Sequence, residues 1–195
     1  MPESQEKIYY VCADSVEHAS KMPQAERVLK AGYEVLYLTV DEDEIVLQML
    51  ENAYDKPFVS VASEDALPVT DAEKASVEQA EKDHKAQETL KGEVSKVRIS
   101  KILQSGAVCL TAEGPVSLEM EKYFRKMRRD FPMSAQRVLE LNPDAPAFQA
   151  LCKAYEEDKE KAAAYVEVLY NQALIIADLP LPDPARYAEL VCGLM

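Results

Sequence analysis

Ile8-Tyr9-Tyr10-Val11-Cys12 is an unbroken run of β-branched and aromatic residues, and it reads as a buried strand. A helical stretch follows from about Gln24 to Lys30 and stops at Gly32, a position suited to a helix C-cap. Tyr33-Glu34-Val35-Leu36-Tyr37-Leu38-Thr39 supplies a second strand. Acidic Asp41-Glu42-Asp43-Glu44 then opens a helix through Leu50, where negative charge complements the helix dipole. Pro57-Phe58-Val59-Ser60-Val61 completes a third strand. Strands separated by helices of this length predict β-α-β crossovers and a mainly parallel sheet, so the opening third is a small α/β unit.

Beyond it the composition shifts. Between Asp71 and Leu90 the chain is dominated by Glu, Lys, Ala and Gln, which predicts a solvated connecting helix ending at Gly92. Val94 to Ile99 and Ala107 to Thr111 read as two strands of a second, small sheet. From Val116 onward the pattern reads as helical throughout, broken at Pro132, at Asn142–Pro146 and at Leu179–Pro184. The expected division is therefore 1–70, an α/β part; 71–92, a connecting helix; and 93–195, a small sheet followed by a helical domain. The fold class is α/β, α+β overall.

Composition narrows function. The 195 residues carry 35 acidic and 22 basic side chains, a formal charge of -13. A field of that sign repels phosphate backbones and anionic lipid, so neither nucleic acid nor membrane is an expected partner. No apolar run approaches the roughly 20 residues that span a bilayer, and no basic-then-apolar leader opens the chain. Cys12, Cys109, Cys152 and Cys192 are scattered without a CxxC pair, which favours reduced thiols in a cytoplasm. Two histidines, His18 and His84, leave little for metal or triad chemistry, and no metal is expected. Walker A, GxGxxG, HExxH and GxSxG patterns are all absent. No catalytic residues emerge, and the expectation is a chain that is not an enzyme.

Two surfaces stand out. At 100° per residue, Val116, Met120, Tyr123, Phe124, Met127 and Phe131 share about a quarter of one helix circumference, opposite Lys122, Arg125, Lys126, Arg128 and Arg129. Such a stripe is either a core face or a binding face, and Met, Tyr and Phe suit an adaptable binding surface. From Ala162 to Ile176 apolar residues cover nearly the full circumference, with Glu167 and Asn171 as a narrow polar strip. In the last helix Tyr187, Leu190, Val191, Leu194 and Met195 wrap most of the circle. Helices apolar all round are buried on more than one side, and a second copy of the chain is a natural cover.

Lys7-Ile8-Tyr9-Tyr10 and Gly32 to Thr39 resemble the end of the middle domain of the heat-shock protein 90 chaperones. Leu139-Glu140-Leu141-Asn142-Pro143-Asp144-Ala145-Pro146 resembles that family's C-terminal hallmark, with Ala145 where a histidine is usual. Leu169 to Leu174 and Asp183-Pro184 match in order and spacing, although Leu181-Pro182 is unusual before Asp-Pro. The resemblance covers essentially the whole chain.

It implies a fragment of an ATP-dependent chaperone, with ATP and magnesium bound upstream in the parent and no cofactor here. It implies client binding by Val116, Met120, Tyr123, Phe124 and Met127, and a two-fold homodimer through Leu169, Ala173, Ile176, Tyr187, Leu190, Val191 and Leu194. The partners expected are a second copy and unfolded or partly folded proteins. The missing acidic Met-Glu-Glu-Val-Asp tail fits a bacterial or organellar origin. The rival readings are a small cytoplasmic α/β enzyme using Cys12 or a carboxylate of Asp41–Glu44, and a scaffold using its apolar C-terminal helices.

Overall fold

The structure is a computed structural model that describes residues 1–40, 42–63, 66, 90, 93–100, 103–114, 116–127 and 134–195. The connecting helix expected over 71–92 lies outside these residues except for Leu90, as do Asp41, Arg128, Arg129, Phe131 and Pro132. The chain forms two compact units, Met1–Pro68 with Thr111–Gln136, and Val69–Leu110 with Arg137–Met195. Compactness thus groups the segment 111–136 with the first 68 residues, whereas the sequence division placed it in 93–195.

The first unit is built on strand β1, Ile8–Cys12. It pairs in parallel with β2, Val35–Leu38, on one side and with β4, Lys56–Ser60, on the other. A two-residue strand β3, Asn52–Ala53, which sequence reasoning did not anticipate, closes the edge antiparallel to β4. The order is β2-β1-β4-β3. As the central strand, β1 is buried on both faces, which is why its sequence is continuously apolar rather than alternating.

Helices α1, Val16–Lys21, and α2, Pro23–Lys30, supply Ala19, Met22, Ala25 and Val28 to a core shared with Tyr9, Val11 and Val61. Helix α1 also went unforeseen; Ser15 caps it by accepting from the His18 N–H. At the end of α2, the Gly32 N–H donates to Leu29 and the Tyr33 N–H to Val28, with Gly32 at φ +81°. This is a Schellman ending, and the left-handed position is where glycine carries no Cβ penalty. It delivers Tyr33 onto Tyr9, ring centroids 5.8 Å apart.

A second sheet joins strands β5, Lys96–Ile99, β6, Val108–Glu113, and β7, Gln136–Leu141, in the order β5-β7-β6. The reading of everything after Val116 as helical is corrected by β7, which is the middle strand of this sheet. Its Val138, Leu139, Glu140 and Leu141 are all buried. A strand buried on both faces loses the period-two alternation by which strands are recognised. The spacing of Val138, Leu139 and Leu141 then imitates a helix face.

Helices α4, Leu118–Met127, α5, Pro146–Glu157, α6, Lys159–Ile176, and α7, Pro184–Leu194, complete the chain, after α3, Asp43–Leu50, in the first unit. Asn142 makes the turn from β7 into α5. Its side chain donates to the Gly106 carbonyl at 2.8 Å and accepts from the Asp144 N–H at 3.0 Å. Asp158 caps α6 by accepting from the N–H groups of Glu160 and Lys161, and Asp183 caps α7 through Arg186.

Candidate functional site

The acidic start of α3 and the start of α4 meet around one buried carboxylate. Glu44 is 3% exposed. Ser117 Oγ donates to Glu44 Oε2 at 2.8 Å, and Tyr10 Oη lies 3.5 Å from Glu44 Oε1. The same Ser117 oxygen accepts from the Met120 N–H at 3.0 Å, so it caps α4. Burial raises the Glu44 carboxyl above the ordinary value, against hydrogen bonds from Ser117 and Gln48 that pull it down. Sequence reasoning treated Glu44 as one of four helix-opening acids; nothing in the local pattern marked it as the one that turns inward.

Burial, and then the Glu44 and Glu119 carboxylates, push the Cys12 thiol well up. A reactive cysteine needs the opposite environment, so Cys12 is a poor nucleophile.

Helix α4 buries Leu118, on the side opposite the apolar row, and Glu121, beside the row's edge at Phe124. Glu121 Oε2 accepts from the Ala135 N–H at 3.0 Å, and Arg125 Nη2 donates to its other oxygen at 2.7 Å. Val116, just before the helix, is buried; Met120, Tyr123 and Phe124 are half-buried; Met127 is 66% exposed. Tyr123 and Phe124 stand edge to face at 5.8 Å. Of the residues expected opposite, Arg125 and Lys126 are exposed and Lys122 pairs with Glu119 at 2.7 Å.

At the C-terminus, α6 packs between α5 and α7. Leu169, Ala173 and Leu190 are already buried by the chain's own residues. Ile176, Tyr187, Val191 and Leu194 are half-buried, and Ile175 and Met195 are exposed. Asn171, expected on a polar surface strip, is instead buried and donates to the Glu167 carbonyl at 2.8 Å. Among the described residues no helix is long and apolar enough to cross a membrane.

The Hsp90 protein family model matches residues 1–195, the whole chain. The chain belongs to the Hsp90 family. As an Hsp90-family chain it is 42% identical over 200 residues to the chaperone protein HtpG of Bacillus subtilis (strain 168), covering all of this chain and 32% of that protein. It is 42% identical over 199 residues to chaperone protein HtpG of Shouchella clausii (strain KSM-K16), and 42% over 201 residues to that of Clostridium botulinum (strain Langeland / NCTC 10281 / Type F). In both cases it again spans 32% of the relative's length.

This match corrects the expectation that the chain is not an enzyme. That expectation rested on missing Walker, GxGxxG, HExxH and GxSxG patterns and on an ATP-binding domain taken to lie upstream, whereas the Hsp90 protein family model matches the whole chain and does not set it apart as non-enzymatic.

Proposed function

We propose that this chain serves a cytoplasmic molecular chaperone by holding unfolded or partly folded proteins on α4 and by pairing with a second copy through α6 and α7. The observation that carries the first part is the orientation of α4. The helix buries Leu118 and Glu121, holds Met120, Tyr123 and Phe124 half-buried and leaves Met127 exposed. An apolar row of flexible and aromatic side chains kept partly wet is costly unless something apolar visits it, and its Met and aromatic content adapts to varied partners. The relatives' printed name, chaperone protein, supports the same reading.

The pairing surface is narrower than the sequence alone suggested. With Leu169, Ala173 and Leu190 covered internally, the residues left for a second copy are Ile176, Tyr187, Val191 and Leu194, with Ile175 and Met195 beside them. The test of holding is suppression of aggregation of a chemically unfolded protein, followed by light scattering. The double variant Met120→Ser/Phe124→Ser should lose most of the suppression while its unfolding midpoint stays close to the parent's. A loss of stability of about 3–5 kcal/mol would mark the row as core and sink the proposal.

A further inference from the structure

Glu44 and its partners belong to neither proposed surface, although Ser117 caps the helix that carries one of them. A buried carboxylate on α3 is tied to the residue that caps α4, and the tie runs through a single hydroxyl, Ser117. We propose that Glu44, Tyr10 and Ser117 form a proton-governed latch that holds the first turn of α4 against α3 when Glu44 is protonated and loosens it when Glu44 is ionised.

The geometry accommodates both states. Protonated on Oε1, Glu44 donates to Tyr10 Oη while Oε2 still accepts from Ser117. Ionised, it accepts from both hydroxyls, but the charge stays in a site 3% exposed to water. The groups acting on it are Tyr10 from β1, Gln48 from α3 and Ser117 and Lys122 at α4, with Cys12 sensing its charge from β1; Asp43 and Glu119 act on Cys12. Lys122, the cation among them, is shared with Glu119 at 2.7 Å. Burial outweighs the opposing pull of Lys122 and of the hydrogen bonds from Ser117, Gln48 and Tyr10, so a charge on Glu44 remains costly.

Glu44 has its folded-state pKa raised above the ordinary 4.5. Its contribution is therefore complete below the unfolded value and is lost as pH rises through the folded one. The latch is tight below the raised folded-state value and slack above it.

Hydrogen exchange of the whole chain tests this, read at the Met120 and Glu121 amides and corrected for intrinsic exchange, from about pH 5 to about pH 8. In the parent, protection should fall as pH rises. Glu44→Gln keeps the shape and both hydrogen bonds without the charge, so its protection should be flat with pH and higher than the parent's at the alkaline end. Ser117→Ala, which removes the tie, should lower protection at every pH. The His18–Asp14 pair, 3.0 Å apart and near Lys122, is unaltered in Glu44→Gln and serves as the internal control. A parent that shows no pH dependence, or a Glu44→Gln chain that keeps the parent's decline, overturns the latch; because Gln preserves folding contacts, this holds even if Ser117→Ala fails to fold.

Discussion

Arg98 and Glu140 face each other across the parallel β5–β7 ladder, and Arg98 Nη2 reaches Glu140 Oε1 at 2.6 Å. Ser100 Oγ donates to the other carboxylate oxygen at 2.6 Å and its own oxygen accepts from the Leu103 N–H. Glu140 is 2% exposed, so this pair sits in the sheet's interior. Removing one member leaves the other charge buried without its partner. Glu140→Ala should cost about 3–5 kcal/mol in denaturant unfolding. A loss under about 1 kcal/mol, the value of a surface pair, would show that water reaches the site.

Gln5, 1% exposed, stitches the chain's start to the edge of β2. Its amide donates to the Lys7 and Glu34 carbonyls at 2.9 and 3.0 Å and accepts from the Glu34 N–H at 2.8 Å. Gln5→Ala should cost about 1–3 kcal/mol in thermal or urea unfolding, because the buried amide that joins the Lys7 and Glu34 backbone groups is lost. An unchanged midpoint would mean that water replaces the amide.

The first unit was largely legible because β1, β2 and β4 are bounded by clear signals. Gly32 ended α2 as expected, and the strands fell within a residue or two of their observed limits. What failed to show is what depends on partners distant in sequence. Strand β7 hid its nature because Glu140, an inward-facing acid, broke the alternation, and its reason for being inside is Arg98, 42 residues away. Glu44 was likewise unreadable, since only the approach of Ser117, 73 residues on, makes it a site. The stripe on α4 could be read from its spacing, but the helix's buried acid could not: Glu121 turns inward because the Ala135 N–H and Arg125 meet its carboxylate.

Asp178 follows α6 at φ 54°, and its N–H and that of Leu179 return to Ile175 and Leu174 in a second Schellman ending. A side chain in this left-handed position carries strain that glycine avoids. Asp178→Gly should raise stability by up to about 1 kcal/mol in calorimetry. A decrease would show that the Asp178 carboxylate makes a compensating contact.

Leu190 and Leu194 lie one turn apart on α7 but differ in cover: Leu190 is 8% exposed, and Leu194 is half-buried. Aspartate at Leu190 should unfold the second unit, by placing a carboxylate among its own apolar contacts. Aspartate at Leu194 should leave the fold intact and shift sedimentation at micromolar concentration from pair to single chain. A parent that already sediments as a single chain, or a Leu194→Asp chain that stays paired, would place the contact elsewhere.

The proposal that α4 holds partly folded proteins is tested most directly by hydrogen exchange of the parent chain with and without an excess of a destabilised globular protein. The added protein should slow exchange across Met120–Met127, the turns that carry the half-buried and exposed apolar row. The effect should vanish in Met120→Ser/Phe124→Ser. Slowing confined to other elements, or none at a concentration where the parent suppresses aggregation, would contradict the assignment.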